Sequence, residues 1–376
     1  MARGQEVYGE PPAPELDCRS NALLRASITS DLVLRTALAS VLSGALLRGT
    51  LSSAGREDAR RLAFYAELAD AQDPKRVFER PPERVKVKRT RHQDDLGGLG
   101  RVDVVHFRTP YRPLNPALRS EYARAGNRNE LVAAHHWRHS DGPRRTLCVI
   151  HGFGASPVWF NALFFSLKAF FAEGWDVLLY TLPFHGGRGA RLVPDGIGMF
   201  GAGGARIHEA IVQAVFDFRI LLDHLERYGA PRVGVTGLSL GGYISALLAA
   251  VEERLDFVIP NAPVTWMPAL ISSWLPANAV VAAGRRVLGI SEELLERSFA
   301  LHSPLTYPPV VPKRRLMIVR GLGDKLAPPE QASMLWEHWG RPRMHSFAGS
   351  HVLHFGRSAY LAEMRRLMLR TSTRAA

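Results

Sequence analysis

The chain has 376 residues, enough for one large α/β domain or two ordinary domains with a buried core. Hydrophobic residues make up 46% and charged residues 22% of the sequence, which excludes wholesale disorder and a fibrous repeat. The formal net charge is +13, but only six of the 48 basic residues are lysines, and the arginines are scattered along the chain. Scattered arginine is typical of an ion-paired surface, so we expect no nucleic-acid partner.

The N-terminal residues and the cysteines bear on localisation. The first residues lack the apolar region of a secretory signal, because they include the charged side chains of Arg3, Glu6 and Glu10. The longest charge-free stretch that resembles a membrane span lies between Arg35 and Arg48, and its twelve residues are too few to cross a bilayer. Two cysteines cannot make a disulfide framework. We therefore predict a cytoplasmic protein, with peripheral contact to a membrane as a further possibility.

Residues 1–100 are predicted to form a mostly helical N-terminal extension. Thr29, Ser30 and Asp31 are typical of a helix cap. The residues after this cap place apolar side chains on one helical face, namely Leu34, Leu38, Val41, Leu42 and Ala45. A second helix is expected over residues 58–69. We expect both helices to pack on the neighbouring domain, and the alternative is a peripheral membrane anchor.

A basic cluster follows these helices. It favours an edge strand that its charges keep soluble, and contact with an anionic surface is the alternative. Its members are Arg84, Lys86, Lys88, Arg89 and Arg91.

From about residue 100, strand patterns alternate with helix patterns, which predicts a mostly parallel sheet covered by helices on both faces. The first two strands are expected over residues 102–107 and 131–137. Short apolar runs predict buried strands at residues 146–150, 175–180, 233–235, 257–259, 316–319 and 344–347. A period of 3.6 residues predicts a helix over residues 207–225, ended by Gly229 and Pro231.

The interval 261–312 interrupts this alternation between two strands. It is too long for a plain connection, and such insertions are usually functional. The interval contains several prolines and many large apolar side chains, among them Trp266, Met267, Leu270 and Trp274. We predict a helical cap over residues 261–312, with residues 101–260 and 313–376 forming the core of the protein.

A G-x-S-x-G motif, Gly237-Leu238-Ser239-Leu240-Gly241, lies directly between a predicted strand and a predicted helix. On so sharp a turn the serine adopts strained backbone angles that direct its Oγ away from the chain. Glycines two residues to either side remove Cβ atoms that would collide with the neighbouring strand and helix. The N–H groups of the following helix favour negative charge near the serine. The motif predicts that Ser239 is a nucleophile.

With this motif, the sequence resembles the α/β-hydrolase superfamily over roughly residues 100–370. His151-Gly152-Phe153-Gly154 resembles the oxyanion loop of that superfamily. By position, the resemblance implies that the main-chain N–H groups of Phe153 and Leu240 bind the oxyanion. The implied fold is a mostly parallel central sheet flanked by helices, with a helical cap insertion and the N-terminal helical extension.

The superfamily places an acid and then a histidine after the serine. Asp324 lies just past the predicted strand 316–319, where the resemblance implies the acid. His351 lies after the predicted strand 344–347, in a loop that can turn its imidazole toward Ser239. His354 is the competing base, but we expect it in the first turn of a helix that begins near Val352 and therefore favour His351.

Other candidate sites are less well supported. His135, His136 and His139 lack the glutamate of a zinc-protease motif and lie on a predicted strand, so their side chains alternate between faces. Phosphate-loop and dinucleotide-binding motifs are not complete, and we predict neither a metal nor a cofactor. His185-Gly186-Gly187-Arg188 is expected to shape the site, and Arg188 could meet an anionic group of the substrate.

These patterns predict a serine hydrolase that cleaves an apolar, small-molecule carboxylic ester through an acyl-enzyme, with Ser239, His351 and Asp324 as its triad. A lipid deacylase at a membrane surface and a thioesterase are alternatives with the same fold. A non-catalytic binding protein with an α/β-hydrolase fold is the alternative of another class. The oligomeric state and the natural substrate are not predicted.

Overall fold

The structure is a computed structural model that describes residues 18–51, 57–91, 101–124, 127–200 and 203–372. The residues weighed above as a signal sequence, Arg3, Glu6 and Glu10, lie outside these ranges. The described residues form one mixed sheet of nine strands flanked by helices. Its strands are β1 Lys88–Arg91, β2 Arg101–Arg108, β3 Leu131–Arg138, β4 Thr146–Ile150, β5 Asp176–Tyr180, β6 Val233–Leu238, β7 Val258–Asn261, β8 Met317–Gly321 and β9 Arg343–Phe347.

Helices cover both faces of the sheet. They are α1 Cys18–Leu51, α2 Asp58–Asp70, α3 Pro74–Val77, α4 Arg119–Tyr122, α5 Val158–Phe164, α6 Leu167–Ala172, α7 Gly204–Tyr228, α8 Leu240–Val251, α9 Met267–Ser272, α10 Ala277–Leu288, α11 Glu292–Ala300, α12 Pro329–His338 and α13 Arg357–Ser372. Short 3-10 turns span Pro116–Leu118, Arg128–Glu130, Gly186–Arg188, Ile197–Phe200 and Lys313–Arg315.

The strand order is β1-β2-β3-β5-β4-β6-β7-β8-β9. The pairs from β1 to β5 along this order are antiparallel, and the pairs from β5 to β9 are parallel. The carboxyl ends of the parallel strands therefore share one edge of the sheet, where ligand sites of open α/β sheets lie. The mostly parallel sheet that the alternation of patterns predicted is confirmed.

The central strand β4 was predicted correctly from its continuous apolar run, and its burial explains why. All five of its residues are buried. Cys148 and Ile150 contribute to the hydrophobic cluster on one face of the sheet, and Leu147 and Val149 contribute to the cluster on the other. Because alternate side chains of a strand point to opposite faces, a strand covered on both sides must be apolar throughout.

The long helix α7 is also confirmed. Most of its residues are buried, and Gly229 ends it in a left-handed conformation with φ 90°. Glycine adopts this conformation without the steric cost that a Cβ would add.

The start of the N-terminal helix was predicted incorrectly. Thr29, Ser30 and Asp31 do not cap it, because α1 begins at Cys18 and passes through all three. The Thr29 hydroxyl donates to the carbonyl of Arg25, and the Ser30 hydroxyl donates to that of Ser27. Such bonds within the helix satisfy hydroxyls that would otherwise cap its end.

Helix α1 is also much longer than the twelve-residue stretch between Arg35 and Arg48 that was judged too short to cross a bilayer. By length and composition alone, Asn21–Leu51 is long and apolar enough to cross a bilayer, which the charge-free stretch did not predict. In the structure, 22% of its most apolar window is buried. The helix packs against α10 of the same chain.

The second predicted helix is confirmed as α2. The Asp58 carboxylate at its start accepts N–H bonds from Gly204 and Ala205, at 2.8 and 3.3 Å, and so holds α2 on the first turn of α7. The basic cluster includes β1, whose four residues are exposed at the edge of the sheet. The prediction of a basic edge strand is confirmed.

Three helices, α9, α10 and α11, occupy the interval between β7 and β8. Helix α11 packs on α2, and α10 packs on α1. The N-terminal helices therefore lie beside the predicted cap. The division of the chain into extension, core and cap stays a prediction.

Candidate active site

Ser239 lies on a sharp turn between β6 and α8, with φ 56° and ψ −112°. Its N–H donates to the carbonyl of Asn261 at 3.0 Å, and its own carbonyl accepts from the Tyr243 N–H at 2.9 Å. A residue with a side chain pays a steric cost at positive φ, so such strain persists only where the surroundings hold it. These main-chain bonds to β7 and α8 provide that hold.

The two motif glycines allow the turn to form. A Cβ at Gly237 would lie 2.3 Å from the carbonyl oxygen of Gly241, and a Cβ at Gly241 would lie 2.1 Å from that of Ile150. Carbon and oxygen atoms that are not bonded cannot approach so closely. The predicted role of these glycines is confirmed, since β4, β6 and α8 meet at the turn with no room for a side chain.

Asp324 follows β8 and is fully buried. One carboxylate oxygen, Oδ1, accepts the N–H groups of Leu326 and Ala327 at 2.9 and 2.7 Å. The other, Oδ2, lies 2.6 Å from Nδ1 of His351. Burial raises the pKa of Asp324, whereas the contact with His351 and the main-chain bonds act in the opposite direction.

His351 follows β9 and has only 4% of its surface exposed. Burial by itself lowers the pKa of its imidazole, but the charge and hydrogen bond of Asp324, together with the charge of Asp31, raise it above the ordinary value. The Nδ1–H donates to Asp324, which leaves Nε2 as the basic nitrogen of the neutral ring.

Asp31 is a site residue that the sequence analysis placed in a helix cap. Its Oδ2 accepts the N–H of Lys325 at 3.0 Å and the N–H of His351 at 2.8 Å. The signal for it was a carboxylate inside an apolar helical segment, since a buried carboxylate needs hydrogen-bond partners. Its partners lie about three hundred residues away along the chain and could not be read from local pattern.

An apolar cavity of about 440 Å³ opens beside Ser239 and His351. Side chains of α1 form one wall, namely Leu34, Leu38, Leu42 and Leu46. The interval between β7 and β8 forms another, with Val264, Met267, Leu270, Ile271, Trp274 and Ala277. Trp159, Phe160, Met199, Phe200 and Ile207 also line it. A cavity of this size and character suits a small apolar ligand.

Phe153 and Leu240, whose N–H groups are the predicted oxyanion donors, line the same cavity. Leu240 is the first residue of α8, so its N–H has no carbonyl partner within the helix. The loop at Phe153 is braced by the buried His151, whose Nδ1–H donates to the carbonyl of Gly152 at 2.8 Å. Nε2 of His151 accepts the N–H of Leu182 at 3.1 Å. Burial lowers the pKa of His151 to about 3, so the ring stays neutral.

Solved structures with the same architecture include two esterases. The chain aligns with acetyl xylan esterase 1 from Thermoanaerobacterium sp. JW/SL YS485 with a TM-score of 0.58 and 16% identity, over 82% of this chain and 98% of that one. Acetyl xylan esterase from Paenibacillus sp. R4 aligns with a TM-score of 0.54 and 16% identity, over 82% and 94% of the two chains. At this identity the likeness establishes the fold.

No protein-family model matches the chain. It is 30% identical over 301 residues to the uncharacterized protein Rv2627c of Mycobacterium tuberculosis (strain ATCC 25618 / H37Rv), across 79% of this chain and 70% of that protein. The uncharacterized protein MT2702 of Mycobacterium tuberculosis (strain CDC 1551 / Oshkosh) matches with the same identity and coverage. The chain belongs to the family of these mycobacterial proteins, and its fold is that of the α/β-hydrolases.

His354 does not lie in a helix as predicted. Helix α13 begins only at Arg357, and His354 lies in the preceding loop. Its Nε2–H donates to the carbonyl of His351 at 3.1 Å, and its Nδ1 contacts the hydroxyl of Tyr360 at 3.0 Å. Burial lowers the pKa of His354 to about 3. With both nitrogens occupied, His354 supports the loop of His351.

The suggestion that Arg188 could meet an anionic substrate is wrong. Its guanidinium is fully buried and pairs with Asp217 at 2.7 Å. It also donates to the carbonyl of Asn129, so its donors are used within the core. His185 is buried as well, beside His151 and Phe153. His185 therefore packs behind the loop that carries Phe153.

Within the described ranges, no group of three or more histidine, cysteine, aspartate or glutamate side chains could hold a metal ion. His135, His136 and His139 do not converge, because two of them alternate on β3 and the third follows it. His136 is buried and its pKa is lowered by that burial. His139 contacts Asp176 at 2.8 Å.

Proposed function

We propose that this protein is a serine hydrolase that cleaves carboxylic esters through an acyl-enzyme. The observation that carries the proposal is the 2.6 Å contact between Asp324 and His351 at the wall of a cavity that also contains Ser239. An acid fixed to one imidazole nitrogen orients the other nitrogen and stabilises the protonated ring. The fold suits this reaction, since both structural neighbours above are acetyl xylan esterases.

In the proposed reaction, Nε2 of His351 takes the proton of the Ser239 hydroxyl as Oγ attacks the ester carbonyl carbon. The carbon–oxygen bond to the leaving alcohol then breaks, and His351 returns the proton to that alcohol. Water next gives a proton to His351 and attacks the carbonyl carbon of the acyl-enzyme. The bond between that carbon and Oγ then breaks, the carboxylic acid leaves, and His351 returns the proton to Ser239. These steps need no metal or organic cofactor.

The negative oxygen that forms in each addition step would be held by the N–H groups of Phe153 and Leu240. Leu240 supports this assignment because it opens α8, whose N-terminus favours negative charge. One such fixed donor contributes about 3–4 kcal/mol to stabilising the transition state.

The substrate is proposed to carry an apolar acyl group. The supporting evidence is the apolar lining of the 440 Å³ cavity. A second cavity of about 660 Å³ adjoins it, and Leu46, Ile207 and Ile271 line both. A longer acyl chain could pass between these three side chains, so we expect medium or long chains to be accepted.

A fluorophosphonate probe tests the proposal directly. The probe should label the purified protein, and the Ser239→Ala variant should lose the label. Ser40→Ala is the matched control because the Ser40 hydroxyl is exposed on α1, bonded to the carbonyl of Thr36. Absence of labelling in the unaltered protein would favour the non-catalytic binding protein. A panel of esters, thioesters and amides of graded acyl length then defines the bond that is cleaved.

A second candidate is a lipid deacylase that works at a membrane surface. It is favoured by α1, which lines the cavity on one side and exposes large apolar side chains on the other. Val33, Leu47 and Leu51 are 67%, 51% and 71% exposed. An apolar helix face of this kind can lie in the interface of a bilayer. On this proposal the protein is cytoplasmic and peripheral to the membrane.

Sedimentation with vesicles tests this second candidate. The protein should pellet with vesicles that contain anionic lipid, and a Val33→Asp/Leu47→Asp variant should pellet less. The same variant should hydrolyse a short soluble ester at the normal rate. A protein that stays in the supernatant with all vesicles would exclude the membrane-surface version and leave the esterase proposal intact.

A further inference from the structure

We propose that Asp31 is a positioning residue, through which α1 fastens the two loops that carry Asp324 and His351. The inference rests on the proposed function, because the residues that it positions are the acid and base of that reaction. It gives the N-terminal helix a part in catalysis as well as in lining the cavity.

The hydrogen bonds of Asp31 reach both loops from a single atom. Its Oδ2 accepts the N–H of Lys325, the residue after Asp324, and the N–H of His351 itself. Arg35, one helical turn later, donates to the carbonyl of Lys325 at 3.5 Å. Helix α1 therefore holds both main-chain polar groups of Lys325, and a displacement of α1 would act on both loops together.

The packing around Asp31 is close. Its side chain is buried, with 1% of its surface exposed. A Cβ at Gly323 would lie 2.7 Å from Cδ1 of Leu24, which leaves no gap between α1 and the loop after β8. The Gly323 N–H donates to the carbonyl of Gly349 at 2.8 Å, so the two loops are also bonded to each other. Helix α1 and the loops after β8 and β9 thus form one packed junction around Asp31.

The charges at this junction explain a second effect of Asp31. Two carboxylates act on His351, namely Asp324 from the loop after β8 and Asp31 from α1. The neighbouring His354 is neutral. Two cationic residues also belong to this junction. The main-chain N–H of Lys325 donates to Asp31, and the guanidinium of Arg35 donates to the carbonyl of Lys325. The negative charge of Asp31 adds to that of Asp324 and favours the protonated form of His351. Asp31 therefore affects both the position and the basicity of the base.

Two substitutions separate these effects. Asp31→Asn keeps a carbonyl oxygen that can accept both N–H groups but removes the charge. It should retain most of kcat, and the acidic limb of its kcat/KM profile should move to lower pH. Asp31→Ala removes the acceptor and should lower kcat by about tenfold to a hundredfold, with little change in KM, because a small displacement of a base is costly. Asp31→Glu should not restore full kcat, since its longer side chain displaces the bonded oxygen.

Asp58→Ala is the matched control. Asp58 is also a buried aspartate that accepts two main-chain N–H groups, from Gly204 and Ala205, but these belong to α7. Its loss should lower the midpoint of thermal unfolding, while the folded enzyme keeps its kcat and its pH profile on an acetyl ester, which is too short to reach the second cavity that Asp58 lines. The contrast between Asp31→Ala and Asp58→Ala separates positioning from general stability.

The inference is overturned if Asp31→Ala and Asp31→Asn, measured as folded protein, keep the kcat and the acidic limb of the unaltered enzyme. A titration of the histidine resonances by NMR gives a readout that does not need turnover. The His351 pKa should be lower in Asp31→Asn than in the unaltered protein, and an unchanged pKa would count against the inference. If the protein hydrolyses no ester and takes no fluorophosphonate, the proposed function fails, whereas a lowered His351 pKa would still support the contact that Asp31 makes.

Discussion

Nδ1 of His351 and Oδ2 of Asp324 lie 2.6 Å apart, and their contact joins the loops that follow two neighbouring parallel strands, β8 and β9. The second oxygen of Asp324 is held by two main-chain N–H groups, so the carboxylate cannot rotate without losing hydrogen bonds. The geometry commits Nδ1 to the carboxylate and leaves Nε2 for the proposed proton transfer.

The first prediction distinguishes the two histidines. His351→Gln should lower kcat on a short p-nitrophenyl ester by at least about a thousandfold, because the proposed base is lost. His354→Gln should leave kcat within about tenfold and lower the free energy of unfolding by about 1–3 kcal/mol, since its buried hydrogen bonds are weakened. Steady-state kinetics and urea denaturation measure the two effects. The opposite pattern would show that His354 is the base.

The second prediction concerns pH. His351 must be neutral to accept the serine proton, so kcat/KM should fall as the pH drops through its pKa. Because Asp324 and Asp31 raise that pKa, the acidic limb should lie above the ordinary imidazole value near 6.5. A pH-stat assay with a neutral ester measures the profile.

Asp324→Asn provides the check on this assignment. Without the carboxylate charge, the limb should shift to lower pH, and kcat should drop by about ten-thousandfold. A limb at the same pH in Asp324→Asn would mean that another group controls the profile.

The third prediction tests the turn at Ser239. A Cβ at Gly241 would lie 2.1 Å from the carbonyl oxygen of Ile150, so Gly241→Ala should destabilise the protein by at least about 3 kcal/mol. Gly44→Ala is the control, because no heavy atom lies within 4 Å of a Cβ at this position in α1. It should stabilise the helix by up to about 1 kcal/mol. Equal thermal midpoints for the two variants would contradict the packing described here.

The fourth prediction concerns acyl length. Leu46 lines both cavities, so Leu46→Trp should block the proposed passage of a long acyl chain from one to the other. We expect kcat/KM for long acyl esters to fall by about tenfold or more while that for acetyl and butyryl esters changes little. Leu47→Trp adds the same ring to the exposed neighbouring position and should preserve the chain-length profile. An unchanged profile in Leu46→Trp would place the acyl chain elsewhere.

The core of the fold could be predicted because local pattern and tertiary environment agree there. β4 is apolar throughout since both of its faces are buried, and α7 shows a helical period that ends at Gly229. The turn at Ser239 could also be predicted, because its glycines are required by atoms within a few residues or on the adjacent strand. Motif and order then led to Asp324 and His351, which the structure bonds to each other.

Local pattern failed where distant parts of the chain decide the outcome. Thr29, Ser30 and Asp31 have the composition of a cap, but the two hydroxyls bond within α1 and the carboxylate bonds to loops beyond β8 and β9. Arg188 had the appearance of a free cation in a glycine-rich loop, and only the fold shows its pairing with Asp217. In each case the deciding partner is remote in sequence and leaves no periodic signal.

The contacts of Asp31 also affect how the protein folds. Their partners lie 294 and 320 positions further along the chain, so closing these loops belongs to the slow, non-local part of folding. During synthesis α1 emerges long before β8 and β9, so its leucine side chains stay exposed to solvent until those strands have formed. In refolding, helical circular dichroism should therefore return before the proposed esterase activity, and recovery of that activity would report the final docking step.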